Sequence, residues 1–304
     1  MTPAMTAYLA PEGFEADLRA ELGDVAEEHG RLMLAPGPAR AVAWAQNVWL
    51  EPLRIPVASI GEAAKALRAI QRNWWPYAPT LHRRTALLVD KLPKVSAKPQ
   101  VYGQPAPTAS LGSFTLLDEH TLLASARCAS PFPNGEVQFV EDREGPPSRA
   151  YLKLWEAFTV LGVQPAAGET CLDLGACPGG WTWVLARLGA RVTAVDKAPL
   201  APNVAAMAGV SIHAGSAFGL DPRQAGPVDW LFSDVICYPS RLLALVRRWI
   251  EAGAARNMIC TVKFQGETDF QALAAFAAIP GARLLHLSHN KHEVTWARLD
   301  RDLV

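Results

Sequence analysis

Residues 168–181 read GETCLDLGACPGGW, and the reading of this stretch decides the fold. CLDLG is the end of a buried strand, apolar residues followed by a glycine. ACPGGW is a tight turn that opens a helix, TWVLARLG. Gly175, Gly179 and Gly180 lack side chains, so the backbone can bend sharply and a ligand can lie against it. Pro178 stiffens the turn. The helix beginning near Trp181 presents backbone N–H groups that its own carbonyls cannot reach. A second strand follows at once, because ARVTAVDKA is apolar up to Val195 and then gives Asp196. An acid there, about 20 residues past the glycines, suits a ribose diol. The turn is neither GxGxxG nor GxxxxGK[ST], which argues against a dinucleotide fingerprint and against a P-loop. Strand, turn, helix, strand and acid together point to a nucleotide-like cofactor. A turn kept only for packing explains fewer of them.

The 304 residues suffice for two domains of ordinary size, and an apolar fraction of 50% supports a sizeable core. The 29 basic and 29 acidic side chains balance, so the chain is no general polyanion binder. Any nucleic-acid site has to be a local patch. Cys128, Cys171, Cys177, Cys237 and Cys260 form no CxxC pair and no metal-ligand spacing with histidine, so no metal is expected. An odd cysteine count suits a reducing compartment. MTPAMTAYLAPEGFEADL lacks the basic start and apolar run of a signal peptide. No stretch approaches the roughly 18 apolar residues of a membrane helix. The expectation is a cytoplasmic protein with no membrane partner.

Outward from the central stretch, turn signals and periodicity mark two parts. In the first, MTAYLAP reads as a strand, EGFEADLRAELG as a helix, and DVAEEHGRLMLAPG as a hairpin turning near His29-Gly30. ASIGEAAKALRAI reads as a helix capped by Ser59, with Ala64, Leu67 and Ile70 on one face. Trp74, Trp75, Tyr77, His82, Arg83 and Arg84 cluster in the chain, with Lys91, Lys94 and Lys98 after them. Such interleaving serves RNA through stacking and phosphate contacts, or else is a buried Trp pair beside a solvated charge cluster. GSFTLLDEHTLLASARC suggests two more strands, and Pro146-Pro147 excludes a helix or central strand nearby. The boundary is placed in 136–147, giving domains over 1–140 and 148–304.

The second part alternates helices and strands over about 155 residues, which fits a doubly wound sheet of roughly seven strands. SRAYLKLWEAFTVLG is a helix with Leu154, Phe158 and Leu161 inward. VDWLFSD is a strand ending in Asp234, and its following helix carries Leu243, Val246 and Ile250. NMICTVKF is a strand ending near Lys263. GETDFQALAAFAAIPG is a helix capped near Thr268 or Asp269. ARLLHLSH and EVTWARLD form a closing pair around the NKH turn, with Glu293 at the start of the last strand.

DLGACPGGW resembles the S-adenosylmethionine (SAM) loop of the FtsJ-type RNA ribose 2′-O-methyltransferases. SRAYLKLWEAF, the strand ending in SDV, TVKF and NKHEVTW extend the likeness through most of the C-terminal half. It is closest to the branch acting on large-subunit ribosomal RNA. YLAPEGFEADLRAEL is similar to the opening of the THUMP-related region that precedes the catalytic domain there. The resemblance implies an α/β fold: a Rossmann-like SAM-dependent methyltransferase domain preceded by a smaller α+β THUMP-related domain that captures structured RNA. It implies rRNA as partner and a cytidine as target.

It also implies the site. Lys153, Asp234, Lys263 and Glu293 match the family's Lys-Asp-Lys-Glu catalytic tetrad one for one. Asp173, Gly175, Ala176, Pro178, Gly179, Gly180, Trp181, Asp196, Ser216 and Asp234 are the implied SAM contacts. Asp173 sits near the amino group or braces the loop, and Trp181 contacts the cofactor or packs the helix start. The family pattern has an acid near Gly215-Ser216 for the adenine; this chain has Ser216. A ribose 2′-hydroxyl is a poor nucleophile, so the enzyme must align it in line with methyl and sulfur and remove or polarise its proton. Lys263 is the expected activating group and Asp234 its orienter. Lys153 supplies an opposing cation and, with Glu293, holds the ribose. Two other RNA chemistries compete. Cytosine C5 methylation needs a cysteine, for which Cys237 and Cys260 lie near the right sheet edge. Base-amine methylation expects an [Asn/Asp]-Pro-Pro-aromatic floor where this chain has Asp-Val-Ile-Cys-Tyr. Outside RNA modification stand a non-catalytic RNA scaffold and a metabolic methyltransferase, and neither explains two lysines.

Overall fold

A computed structural model describes residues 4–300; residues 1–3 and 301–304, inside the expected domain ranges, lie outside it. The chain divides into two compact units, 1–139 and 140–304.

The N-terminal unit is α+β. Its first elements are β1 (Met5–Leu9), α1 (Glu15–Leu22), β2 (Glu27–His29), β3 (Leu32–Pro36), β4 (Asn47–Leu50) and β5 (Leu53–Pro56). Then come α2 (Ile60–Ile70), β6 (Trp74–Pro76), α3 (His82–Val89), β7 (Gly112–Leu116), β8 (Thr121–Ser125) and β9 (Arg127–Cys128). One sheet runs β2-β3-β1-β4-β9 and another β5-β8-β7-β6. Side chains alternate across a strand, and β8 uses both faces. Leu122 and Ala124 join α2 and α3 in one core, while Leu123 joins Leu9, Leu32 and Trp49 of the first sheet. Ser59 caps α2 by accepting from Glu62 N at 3.2 Å. Ile70, expected on the buried face, is the last residue of α2 and stays exposed; Ala63, Ala64 and Leu67 carry the packing.

The C-terminal unit contains α4 (Tyr151–Leu161), β10 (Thr170–Leu174), α5 (Gly180–Arg187), β11 (Arg191–Asp196), α6 (Pro202–Ala205), β12 (Val210–Ala214) and α7 (Pro222–Ala225). It continues with β13 (Val228–Ser233), α8 (Pro239–Glu251), β14 (Ala255–Lys263), α9 (Phe270–Ala277), β15 (Ala282–Leu285) and β16 (Glu293–Arg298). Seven strands order as β12-β11-β10-β13-β14-β16-β15. The first five are parallel and β16 is antiparallel to both neighbours. This is a Rossmann-like order closed by one antiparallel strand. Leu154, Phe158 and Leu161 are buried as expected. In α8 the buried face is Leu242, Leu245, Val246 and Trp249. Leu243 and Ile250 sit at its margin, because Pro239 starts the helix and sets its phase. Asp269 caps α9, accepting from Ala272 N at 2.8 Å.

Candidate active site

The strand order reverses between β10 and β13, and loops leaving a parallel sheet at such a point face the same crevice. Leu174 pairs with Ser233, so Gly175 and Asp234 are the next residues out on neighbouring strands. The glycine loop and the first carboxylate therefore share one rim. Gly175 has φ +80°, and a Cβ there would lie 2.8 Å from Val235 Cβ, so only glycine fits. The loop is tied to β11: Gly175 N donates to Val195 O at 2.9 Å, and Cys177 N to Asp196 Oδ2 at 2.9 Å. Asp196 Oδ1 accepts from Ala198 N at 2.9 Å. Gly179 caps α5 at φ 113° and Gly180 opens it. Ala176 is buried beneath the loop, and Pro178 O accepts from Ala201 N at 2.9 Å. Asp196 pairs with Ala214 across β11 and β12, two residues before Ser216, whose Oγ accepts from Phe218 N at 3.3 Å.

Two of the expected cofactor residues turn away from the rim. The Trp181 side chain is buried against Phe232, and its Nε1 donates to Ala150 O at 3.0 Å. Its indole packs the start of α5 against α4. The Asp173 carboxyl is buried and accepts from Thr182 Oγ1 at 2.7 Å, so it braces β10 to α5.

Burial pushes the Asp173 carboxyl up to about 7; the Thr182 hydrogen bond opposes this, and Asp234 and Asp196 add to it. The folded state then holds this proton more tightly than the unfolded chain. The resulting stability is present below the ordinary 3.8 and lost as pH rises toward about 7. Asp173→Asn keeps an acceptor for Thr182 and removes the titration. Its unfolding free energy, from urea melts at pH steps across this window, should lack about 4 kcal/mol of the wild-type decline. An identical decline in the variant would place the proton elsewhere.

The tetrad residues converge. Lys153 lies in the first turn of α4, which Trp181 pins to the loop. Lys153 Nζ donates to Asp234 Oδ1 and Oδ2 at 2.7 and 2.8 Å and to Glu293 Oε1 at 3.0 Å. Lys263 Nζ donates to Asp234 O at 2.5 Å and stands 2.9 Å from Asp234 Oδ1. Lys263 and Glu293 are opposite partners in the antiparallel β14–β16 register. All four side chains are mostly buried, two cations against two anions. Burial would raise the Asp234 carboxyl, but Lys153 and Lys263 hold it below its ordinary value. Asp234 thus meets both lysines, orienting Lys263 and offsetting the charge of Lys153. An ammonium has three N–H groups, and Lys153 meets three acceptors. Lys263 meets two acceptors, both on Asp234, which leaves one position on Nζ.

Sequence reading missed Glu156. It is 1% exposed and points from α4 into the turn before β16. Oε1 accepts from Ser288 N and Oγ, both at 2.7 Å; Oε2 accepts from His289 N at 3.0 Å and lies 2.5 Å from His289 Nδ1. The local hints were its place within SRAYLKLWEAF and an acid three residues after Lys153 on a helix face that is otherwise apolar. Among the described residues, no group of three or more His, Cys, Asp or Glu side chains is placed to hold a metal. None of the described helices is long and apolar enough to cross a membrane.

Residues 146–273 match the FtsJ-like methyltransferase family. The ribosomal RNA large subunit methyltransferase M of Aromatoleum aromaticum is 39% identical over 164 residues, covering 49% of this chain and 44% of that protein. That of Halorhodospira halophila is 41% identical over 158 residues, covering 49% and 46%. That of Xanthomonas oryzae pv. oryzae is 34% identical over 212 residues, covering 66% and 56%. The chain spans about half the length of the curated relatives it matches. The matched stretch, residues 146–273, takes in the glycine loop at the switch point of the seven-stranded sheet, and over it the chain is similar to the FtsJ-like methyltransferases.

Proposed function

We propose that this chain is a SAM-dependent RNA ribose 2′-O-methyltransferase acting on large-subunit ribosomal RNA, at a cytidine, in the cytoplasm. The observation that carries the reading is the closed cluster of Lys153, Asp234, Lys263 and Glu293 beside the glycine loop. The relatives' names supply the class of RNA. In this reading the N-terminal unit is the THUMP-related domain that captures the structured RNA.

The donor set fits SAM. N–H groups of the first turn of α5 suit a carboxylate, the Asp196 side chain suits a ribose diol, and the Ser216–Phe218 segment suits an adenine. When bound, SAM supplies an electrophilic methyl group on a cationic sulfur. Lys263 offers its remaining Nζ position to the 2′-hydroxyl, where it steers the oxygen lone pair or takes the proton. Asp234 fixes Lys263 from two sides. Lys153 neutralises Asp234 and Glu293 and ties α4 to the sheet edge.

The cytosine C5 reading is disfavoured by its thiols. Burial raises both Cys237 and Cys260, the reverse of what a thiolate nucleophile needs. A non-catalytic scaffold would have no need of a closed four-residue charge cluster. The deciding experiment transfers labelled methyl from SAM to unmethylated cellular RNA and then identifies the nucleoside. A 2′-O-methylated nucleoside is expected, and a base-methylated product would sink the ribose assignment.

A further inference from the structure

The two adjacent tryptophans of β6 part company in the fold. Alternation along a strand sends neighbours to opposite faces. Trp74 is buried among α2 and β7 residues, and its Nε1 donates to Leu67 O and Gln71 O, both at 3.0 Å. Trp75 faces the other way, is only partly buried, and lines a cavity of about 450 Å³ within the N-terminal unit. Lys94 and Lys98, both exposed, stand on its rim, and Asn73, Phe132 and Gln138 complete the wall. The acid that also lines it, Glu136, is engaged by Gln46 Nε2 at 3.1 Å and by Arg31 at 3.8 Å. The free charge at this cavity is therefore positive.

We propose that this cavity is a binding site for an unpaired RNA nucleotide, with the base stacked on Trp75 and the flanking phosphates on Lys94 and Lys98. The inference rests on the RNA methyltransferase reading and gives its substrate a second point of attachment, on the N-terminal unit. The size matches a cleft for a small ligand, which spans roughly 300–1,000 Å³. A partly exposed indole with amide side chains beside it recognises a base free of its stack, whereas duplex RNA is held through its outer backbone and shallow groove. Two exposed lysines in the same lining supply positive charge for the phosphates that flank such a base.

The test uses the full chain and two fluorescent probes, single-stranded octauridylate and an RNA hairpin of equal length, titrated at several salt concentrations. The wild type should prefer the single strand. Trp75→Ala should weaken that binding by about fivefold to 100-fold, the range of one base–aromatic stack. Trp75→Phe should restore much of it, which separates stacking from folding. The double variant Lys94→Ala/Lys98→Ala should flatten the slope of log affinity against log salt by about 1.4, two phosphate contacts' worth for a single strand. SAM affinity should be the same in all three variants. Equal binding by Trp75→Ala, preference for the hairpin, or displacement by a proline-rich peptide would each overturn the proposal. Methylation of transcribed large-subunit rRNA separates the two readings. A wild type that makes no 2′-O-methyl product defeats the proposed activity, whereas an active wild type whose KM is shared by Trp75→Ala defeats the cavity alone.

Discussion

Lys263→Ala slows methyl transfer by about 10²–10⁴-fold, the usual contribution of a positioned acid–base group, and leaves SAM binding unchanged. The reason is the count of partners on Nζ. Both of its protein acceptors belong to Asp234, and the third position is the one left for substrate. Lys263→Arg tells the two modes of action apart. Arginine keeps the charge and a donor but does not give up a proton near neutral pH. An arginine variant as slow as the alanine variant identifies proton acceptance, and one that keeps much of the rate identifies lone-pair steering. Single-turnover rates with labelled SAM read the effect, and calorimetric titration reads the cofactor. An alanine variant with the wild-type rate would remove Lys263 from the mechanism.

Glu156→Ala destabilises the C-terminal unit by about 3–5 kcal/mol, because it removes a buried acceptor from three donors and from its contact with the His289 ring at once. For a unit of this size the melting temperature falls by about 6–20 °C. The turn that Glu156 holds, through Ser288 and His289, leads into β16 and Glu293. The same substitution should therefore lower kcat in protein that remains folded. Glu156→Gln retains the two acceptor sites on one oxygen and exchanges the other for a donor, so it should fall between alanine and wild type. A melting temperature equal to the wild type in Glu156→Ala would mean that the turn is held by other contacts.

The parts of this fold that the sequence announced are those set by neighbours in the chain. Glycines at fixed offsets between two apolar runs can only be a strand, a turn and a helix, and Gly175–Gly180 form them. The tetrad was legible through its surrounding motifs, although its residues lie up to 140 positions apart. The bond of Glu156 to Ser288 and His289 had no such signature. It links positions more than 130 apart, and a single acid on an apolar helix looks the same whether it meets solvent or a turn. Trp74 and Trp75 gave the reverse difficulty. Composition placed them together, but the strand phase that separates them depends on pairing with β7. For Trp181 and Asp173 the sequence left two roles open, cofactor contact or bracing of the loop and helix start, and their side chains take up the packing contacts.

The pairing of Lys263 with Glu293 ties the charge cluster to the register of one strand pair. β16 is the last strand in the chain and enters between β14 and β15, antiparallel to both. A slip of one residue would turn Glu293 to the opposite face, because alternate side chains point to opposite sides. With β16 out of register Lys153 would lack one of its acceptors and the charges would not balance, whereas the glycine loop is built from β10, α5 and β11. A register error in this one strand would therefore disturb the charge cluster and spare the loop, so the two halves of the site can fail independently.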